Sequence, residues 1–376
     1  MSDVVTIERG RTGHQPWRIL GGLVIVALLL GALWFQRATV SGAVEQIGSL
    51  SAATIGLILV LCVYERWSRA NIVMRLLGAP VGIRTGLVIH DVGNAVSKGI
   101  PFGGALGTAL RWQISRDRQI PPERFATMLV AYGIATTFAS WLLPFLAMSI
   151  DLTRRPAQLI DVAILGVIAI VLTASATFWA VVLRSDRLES WTERRLRRLW
   201  ETLSRRAGSL ANHDPAAGVA AVRRELFEIG RRPWSLMGRT LLSQGSGALI
   251  LIVALRGFGV GDELGVTEFF RVFFVASLLG TFAPTPGGVG VIEAGVTGAL
   301  VAAGVDTTTA LAGVLVYRLI TYVVPIALGA VLYVAWRIRR RKSAVESSES
   351  PASTACADEE ARILAPSERA NTAPTS

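Results

Sequence analysis

The sequence predicts an all-α polytopic membrane protein, with about six full transmembrane helices and two oppositely directed helical hairpins arranged as an inverted repeat. Three observations carry this prediction. Hydrophobic residues make up 52% of the chain and charged residues 17%, where a soluble protein carries about a quarter charged. The mean hydropathy of +0.49 agrees, and the apolar residues fall in runs of membrane-spanning length. Two of these runs are broken by Gly and Pro, and in lipid such breaks persist only where the freed backbone is buried in protein or lines a wet cavity.

Residues 1–18 form a polar N-terminal segment with Arg9, Arg11 and Arg18. The first span is Ile19–Phe35. No small-x-small cleavage site follows it, so a membrane anchor is expected rather than a removable leader. Val40–Leu50 reads as a short loop. Ala52–Tyr64, extended to Trp67, is the second span, and it ends among Arg66, Arg69 and Arg75. The segment 86–110 is too polar in its middle for a simple span, and Pro101, Gly103 and Gly104 break it. Phe125–Ile150 and Ile160–Leu183 are further spans, separated by the loop Asp151–Pro156. The segment 184–234 is a hydrophilic insert. Leu188, Trp191, Leu196, Leu199, Trp200 and Leu203 recur there at helical spacing, with Arg194, Arg195, Arg197 and Arg198 among them and Arg205 and Arg206 just after, which fits a basic amphipathic helix. Such a helix either lies on an anionic membrane face or packs on other protein as part of a cap. Leu236–Leu255 is a span and Gly257–Glu268 a loop. A second broken hairpin covers 269–303, and Ala310–Trp336 is the last span. From 341 to 376 the composition is Ser-, Ala-, Pro- and Glu-rich, as in a disordered tail.

Lys and Arg concentrate in 66–84, 111–124, 184–232 and 337–342. Placing these segments on the cytoplasmic side gives a multi-pass protein of the cell membrane with both termini inside. Hairpin 86–110, in the first membrane half 19–183, then enters from the cytoplasmic face. Hairpin 269–303, in the second half 235–340, enters from the opposite face. Their tips, GIPFGGALG and APTPGGVG, are alike, and opposed broken hairpins meeting near the bilayer midplane are the hallmark of inverted-repeat transporters.

The candidate substrate-binding residues gather at these tips. Pro286, Gly287, Gly288 and Gly290 form the second tip, and Gly103 and Gly104 the first, with Asn94 and Lys98 just before it. Half-helix starts at such breaks present N–H groups suited to an anion. Arg318 lies about a third of the way along an apolar span, where a charge costs about 3 kcal/mol or more, so it must face a cavity or a partner. Glu293 is its nearest candidate counter-ion, either as a structural pair or as a gate on a phosphate clamp. Tyr317 and Tyr322 flank Arg318. His90 and Asp91 either relay protons or line the first hairpin with satisfied hydrogen bonds.

Several functions find no support. The net charge of +11 is spread between apolar spans rather than over one face of a soluble domain, so no nucleic-acid partner is expected. The three histidines and two cysteines show no metal or redox spacing. No catalytic constellation, phosphate loop or dinucleotide motif occurs, so neither enzyme activity nor a cofactor or metal is expected.

At PTPGGVGVIEAG, and again at VYRLITYVVPIALG (Val316–Gly329), the chain resembles the flippase-like membrane domain of lysylphosphatidylglycerol synthases and their stand-alone relatives. GNAVSKGIPFGG (Gly93–Gly104) resembles an earlier segment of that family more loosely. Pro286, Gly287, Gly288, Gly290, Glu293, Tyr317, Arg318, Tyr322 and Pro325 carry the resemblance. It implies movement of an anionic phospholipid or a polyprenyl-phosphate-type lipid between leaflets. Only low-complexity sequence follows Lys342, so lipid aminoacylation is not expected to carry over. Two other functions stay open: a non-transporting scaffold that docks a membrane-associated lipid- or glycan-modifying enzyme through 184–234, and a secondary carrier for a small anion.

Overall fold

The computed structural model describes residues 23–28, 30, 31, 34, 37–78, 81–100, 103–154, 156, 159–184, 215–231, 233–260, 264, 265, 268–270, 272, 273 and 285–348. Among these the regular structure is entirely helical. The chain divides into two compact units, Met1–Ala330 and Val331–Ser376.

The first unit opens with the described part of the first span, helical at 23–28. Helix α1 (Arg37–Ile47) follows. It occupies most of the expected loop Val40–Leu50, which is therefore a correction. Its Ala, Val, Gln and Glu carry the helix past Gly42, and it ends at Ile47, just before Gly48. Helix α2 (Ala52–Leu77) starts at Ser51, whose side chain accepts the Thr54 N–H, and stops at Gly78 with φ 75°, a capping residue at each end. It runs 26 residues, so Glu65, Arg66 and Arg69 lie inside the helix rather than flanking a shorter span.

The first broken segment is two helices, α3 (Ile83–Gly99) and α4 (Gly103–Asp117), packed against each other. Small residues make the close approach possible: a Cβ on Gly103 would meet the Val96 carbonyl, and one on Gly107 would meet Ser97 and the Gly93 carbonyl. Helix α5 (Pro122–Leu152) carries Pro at its first turn and Pro144 within. Helix α6 (Leu159–Arg184) follows. The periodic stretch of the basic insert, 188–203, lies outside the described residues. The insert's described end, α7 (Pro215–Gly230), packs on α5 and α6. Helix α8 is Pro233–Gly257.

In the second broken segment, Arg271 and 274–284 lie outside the described residues. A short turn spans Pro286–Gly288, and Gly287 (φ 61°), Gly288 (φ 69°) and Gly290 (φ 83°) all adopt left-handed backbone. Helix α9 (Val291–Ala302) and helix α10 (Thr307–Arg318) follow. At Leu319–Val323 the helix widens into a π turn before α11 (Val324–Ser348). The Val324 N–H bonds back to the Leu319 carbonyl, and Pro325 has no N–H with which to restore the tighter pattern.

Among the described residues, four helical segments are long and apolar enough to cross a membrane: Pro122–Leu152, Asp161–Val182, Pro233–Gly257 and Thr307–Arg341. Among the described residues, two apolar clusters help hold the first unit together. Ala248, Leu251 and Leu255 of α8 pack with Val296 and Leu300 of α9 and Val314 of α10. Ile58 and Cys62 of α2 pack with Ile250 and Ala254 of α8 and Val316 and Ile320 near the π turn. Thus α8 lies between α2 and α10, and the polar faces of these helices meet on one side of it.

Candidate functional site

A cavity of about 250 Å³ opens where these polar faces meet. Glu65 and Arg69 reach it from α2, Lys98 from the end of α3 and Ser140 from α5. Gln244 and Gly247 of α8, Phe273, Gly287 of the second tip and Ile292 of α9 line it as well. Tyr317 and Arg318, with Thr321 and Tyr322 of the π turn, close it.

The cations are held in different ways. Arg69 Nη2 is 2.8 Å from Glu65 Oε1 and 3.4 Å from Gln244 Oε1, and Gln244 Nε2 donates in turn to Ser140 Oγ at 3.2 Å. Arg318 is 4% exposed. Its Nε lies 2.7 Å from Glu293 Oε1, its Nη2 donates to the Gly287 carbonyl at 3.2 Å, and its guanidinium stacks 4.3 Å above the Tyr322 ring. Lys98 differs from both, because its ammonium has no hydrogen-bond or ion-pair partner among the described residues. Among the charged residues on the wall, Arg69, Lys98 and Arg318 face one carboxylate, Glu65, while Glu293 neutralises Arg318 from behind. One cation is left uncompensated, which suits an anionic group.

The two chain breaks meet at Tyr322. Its hydroxyl donates to the Lys98 carbonyl at 3.1 Å, and its ring lies where a Cβ on Gly287 would stand. Gly287 is therefore required twice, by its positive φ and by the ring against it.

The structure brings Lys98, Gly287, Tyr317, Arg318 and Tyr322 to the cavity and places Glu293 behind Arg318. Asn94, Gly103, Gly104, Gly288 and Gly290 are not on its wall. Pro286 belongs to the same short turn as Gly287. Asn94 is half-buried away from the lining, Gly103 is packed against α3, and Gly104 is exposed. The N–H groups of Gly103, Gly288 and Gly290 donate to Ile100 O (2.9 Å), Thr285 O (3.0 Å) and Glu293 Oε2 (2.7 Å). They serve their own turns in this conformation, and the cavity's positive character comes from side chains instead. Glu65, Arg69, Ser140, Gln244 and Thr321 were not among the candidates. The available signal was Glu65 and Arg69 at i,i+4 in an otherwise apolar stretch. Among the described residues no group of His, Cys, Asp or Glu suits a metal ion.

Long apolar helices around a buried, positively lined cavity define a polytopic α-helical membrane protein with an interior polar site. The chain belongs to the family described as the lysylphosphatidylglycerol synthase TM region, which it matches over residues 19–329. That description links the chain to membrane-lipid handling. No curated protein matches the chain.

Proposed function

We propose that this protein moves an anionic lipid between leaflets, taking the phosphate-bearing head group into the cavity while the hydrocarbon chains stay in the bilayer. The observation that carries the reading is Lys98, on the cavity wall with no ion-pair partner among the described residues, set beside Arg69 and Arg318 at the junction of the two chain breaks. An anion supplies the missing charge, and a cavity of about 250 Å³ holds a head group but not acyl chains. The step breaks no covalent bond, so no catalytic group is needed. Movement then requires the wall to open alternately toward each face, with the segments around Ile100 and Gly287 as the moving parts. The basic segments set both termini on the cytoplasmic side of the cell membrane.

The test is lipid movement in proteoliposomes of phosphatidylcholine containing a trace of fluorescent phosphatidylglycerol, read by quenching from outside. Lys98→Gln removes the unpaired charge without breaking an ion pair, so the variant should fold and lose most of the movement. Arg318→Ala is a poorer probe, because it also strips Glu293 of its partner. Equal movement by wild type and a well-folded Lys98→Gln would remove the proposed head-group site.

A further inference from the structure

Beside the cavity lies a set of polar groups that head-group binding does not use. Asp91 and His90 are buried on α3, 1% and 5% exposed. Arg66 Nη2 is 2.6 Å from Asp91 Oδ2, and His90 Nδ1 is 3.0 Å from Asp91 Oδ1. The far ring nitrogen of His90, Nε2, is 3.4 Å from the Tyr132 hydroxyl. Tyr132 stands beside Arg69, and Arg69 and Glu65 are cavity wall. The polar run Arg66, Asp91, His90, Tyr132, Arg69 thus starts in the packed interior of α2 and α3 and ends at the proposed head-group site.

We propose that this run is a proton site with its path, and that His90 takes up one proton when the cavity takes up an anion. The proposal rests on the head-group reading above. In the neutral imidazole, Nδ1–H donates to Asp91 and Nε2 accepts from the Tyr132 hydroxyl. On uptake the Tyr132 hydrogen passes to Nε2, and the phenolic oxygen regains one from a hydrated proton arriving from solvent, which leaves neutral water. One proton enters, and Tyr132 ends as it began. Asp91 is already matched by Arg66, so the new imidazolium charge is not cancelled locally. It stands one side chain behind Arg69 and favours an anion in the cavity. By reciprocity the bound anion favours the proton to the same degree. An anion moved in this state travels with a proton that offsets its charge.

Charged and titratable groups face the pair from each element packed against it. From α2 they are Cys62, Glu65, Arg66 and Arg69, from α4 Arg111, whose side chain lies across Gly93, and from α5 Tyr132. On α3 itself the other ionisable group toward the cavity is Lys98. Residues 324–330, which pass over the Asp91 carbonyl at Gly329, carry no ionisable side chain. Of all these types, only histidine has an unperturbed titration between about pH 5 and 8.

The experiment uses the full chain in detergent and dihexanoyl-phosphatidylglycerol, whose phosphodiester stays ionised over this range. Affinity is measured by calorimetry, and proton uptake by an indicator dye in weak buffer. The wild type should bind about fivefold or more tighter at about pH 5.5 than at about pH 8, with proton uptake in between. His90→Gln keeps a donor and an acceptor but cannot titrate. It should bind with markedly less uptake than wild type and with a smaller difference in affinity between the two pH values. Wild-type binding without proton uptake overturns the proposal whether or not the variant folds, and so does equal uptake in His90→Gln. Absence of binding at every pH overturns the head-group reading itself and this proposal with it.

Discussion

Removing Arg318 or Glu293 singly should cost far more than removing both. The pair is nearly dry, with side chains 5% and 14% exposed and 2.7 Å between Nε and Oε1. Arg318→Met leaves the Glu293 carboxylate accepting the Gly290 N–H at 2.7 Å without its cationic partner. It also takes away the donor to the Gly287 carbonyl. Truncating one partner of a buried pair costs about 3–5 kcal/mol, because the other charge stays buried and uncompensated. Replacing both by apolar residues of similar volume is often close to neutral. The double variant Arg318→Met/Glu293→Met should therefore recover most of the loss, with a coupling energy of about 2 kcal/mol or more. Equilibrium unfolding in mixed detergent micelles, across wild type, both single variants and the double variant, measures this cycle. Single losses below about 1 kcal/mol, or a double variant as unstable as the sum of the singles, would refute the buried-pair account.

Three further outcomes follow from the packing. Gly287→Ala forces a Cβ into left-handed backbone and against the Tyr322 ring. It should destabilise the protein by about 2–5 kcal/mol, the sum of strain and overpacking, and Tyr322→Leu in the same chain should relieve the steric part, which a melting series reads. Gly107→Leu should separate α3 from α4, since even a Cβ there meets Ser97 and the Gly93 carbonyl; a cysteine cross-link between these helices that forms in wild type should then fail. Asp306 caps α10 by accepting N–H bonds from Thr308 and Thr309 at 3.0 and 3.1 Å, and the backbone bond from Thr309, foremost, holds its carboxyl below the usual carboxylate range. The folded state thus favours the ionised form, so the cap contributes above the unfolded-state pKa and is lost as pH falls through the lower folded value. The melting temperature of wild type should fall toward that of Asp306→Ala in acid, while the two should differ most near neutral pH.

The fold class was legible because apolar runs of membrane length and Gly–Pro breaks leave few alternatives in lipid. Arg318 was legible as a residue that must face a cavity or a partner for a related reason, since a lone charge in an apolar span must be accounted for. Glu65 and Arg69 were not. They share a stretch with Arg66 and Arg75, and such a cluster looks like the end of a span until the helix is seen to continue to Leu77. The π turn was hidden as well: only Pro325 hints at it, and a proline more often kinks a helix without widening it. Helix α1 was missed because eleven residues of weakly apolar sequence differ little from a loop until neighbours cover one face.

The bond from Tyr322 to the Lys98 carbonyl has a consequence for biosynthesis. It joins positions 224 residues apart in the chain, so the carbonyl at the end of α3 must wait for its partner until nearly all of the first unit has left the ribosome. Until then the early half of the protein sits in the bilayer with an unfinished helix end, a standing invitation to water or to a chaperone. A stalled nascent chain truncated before residue 322 should therefore be more protease-sensitive around residue 100 than one truncated just after residue 330.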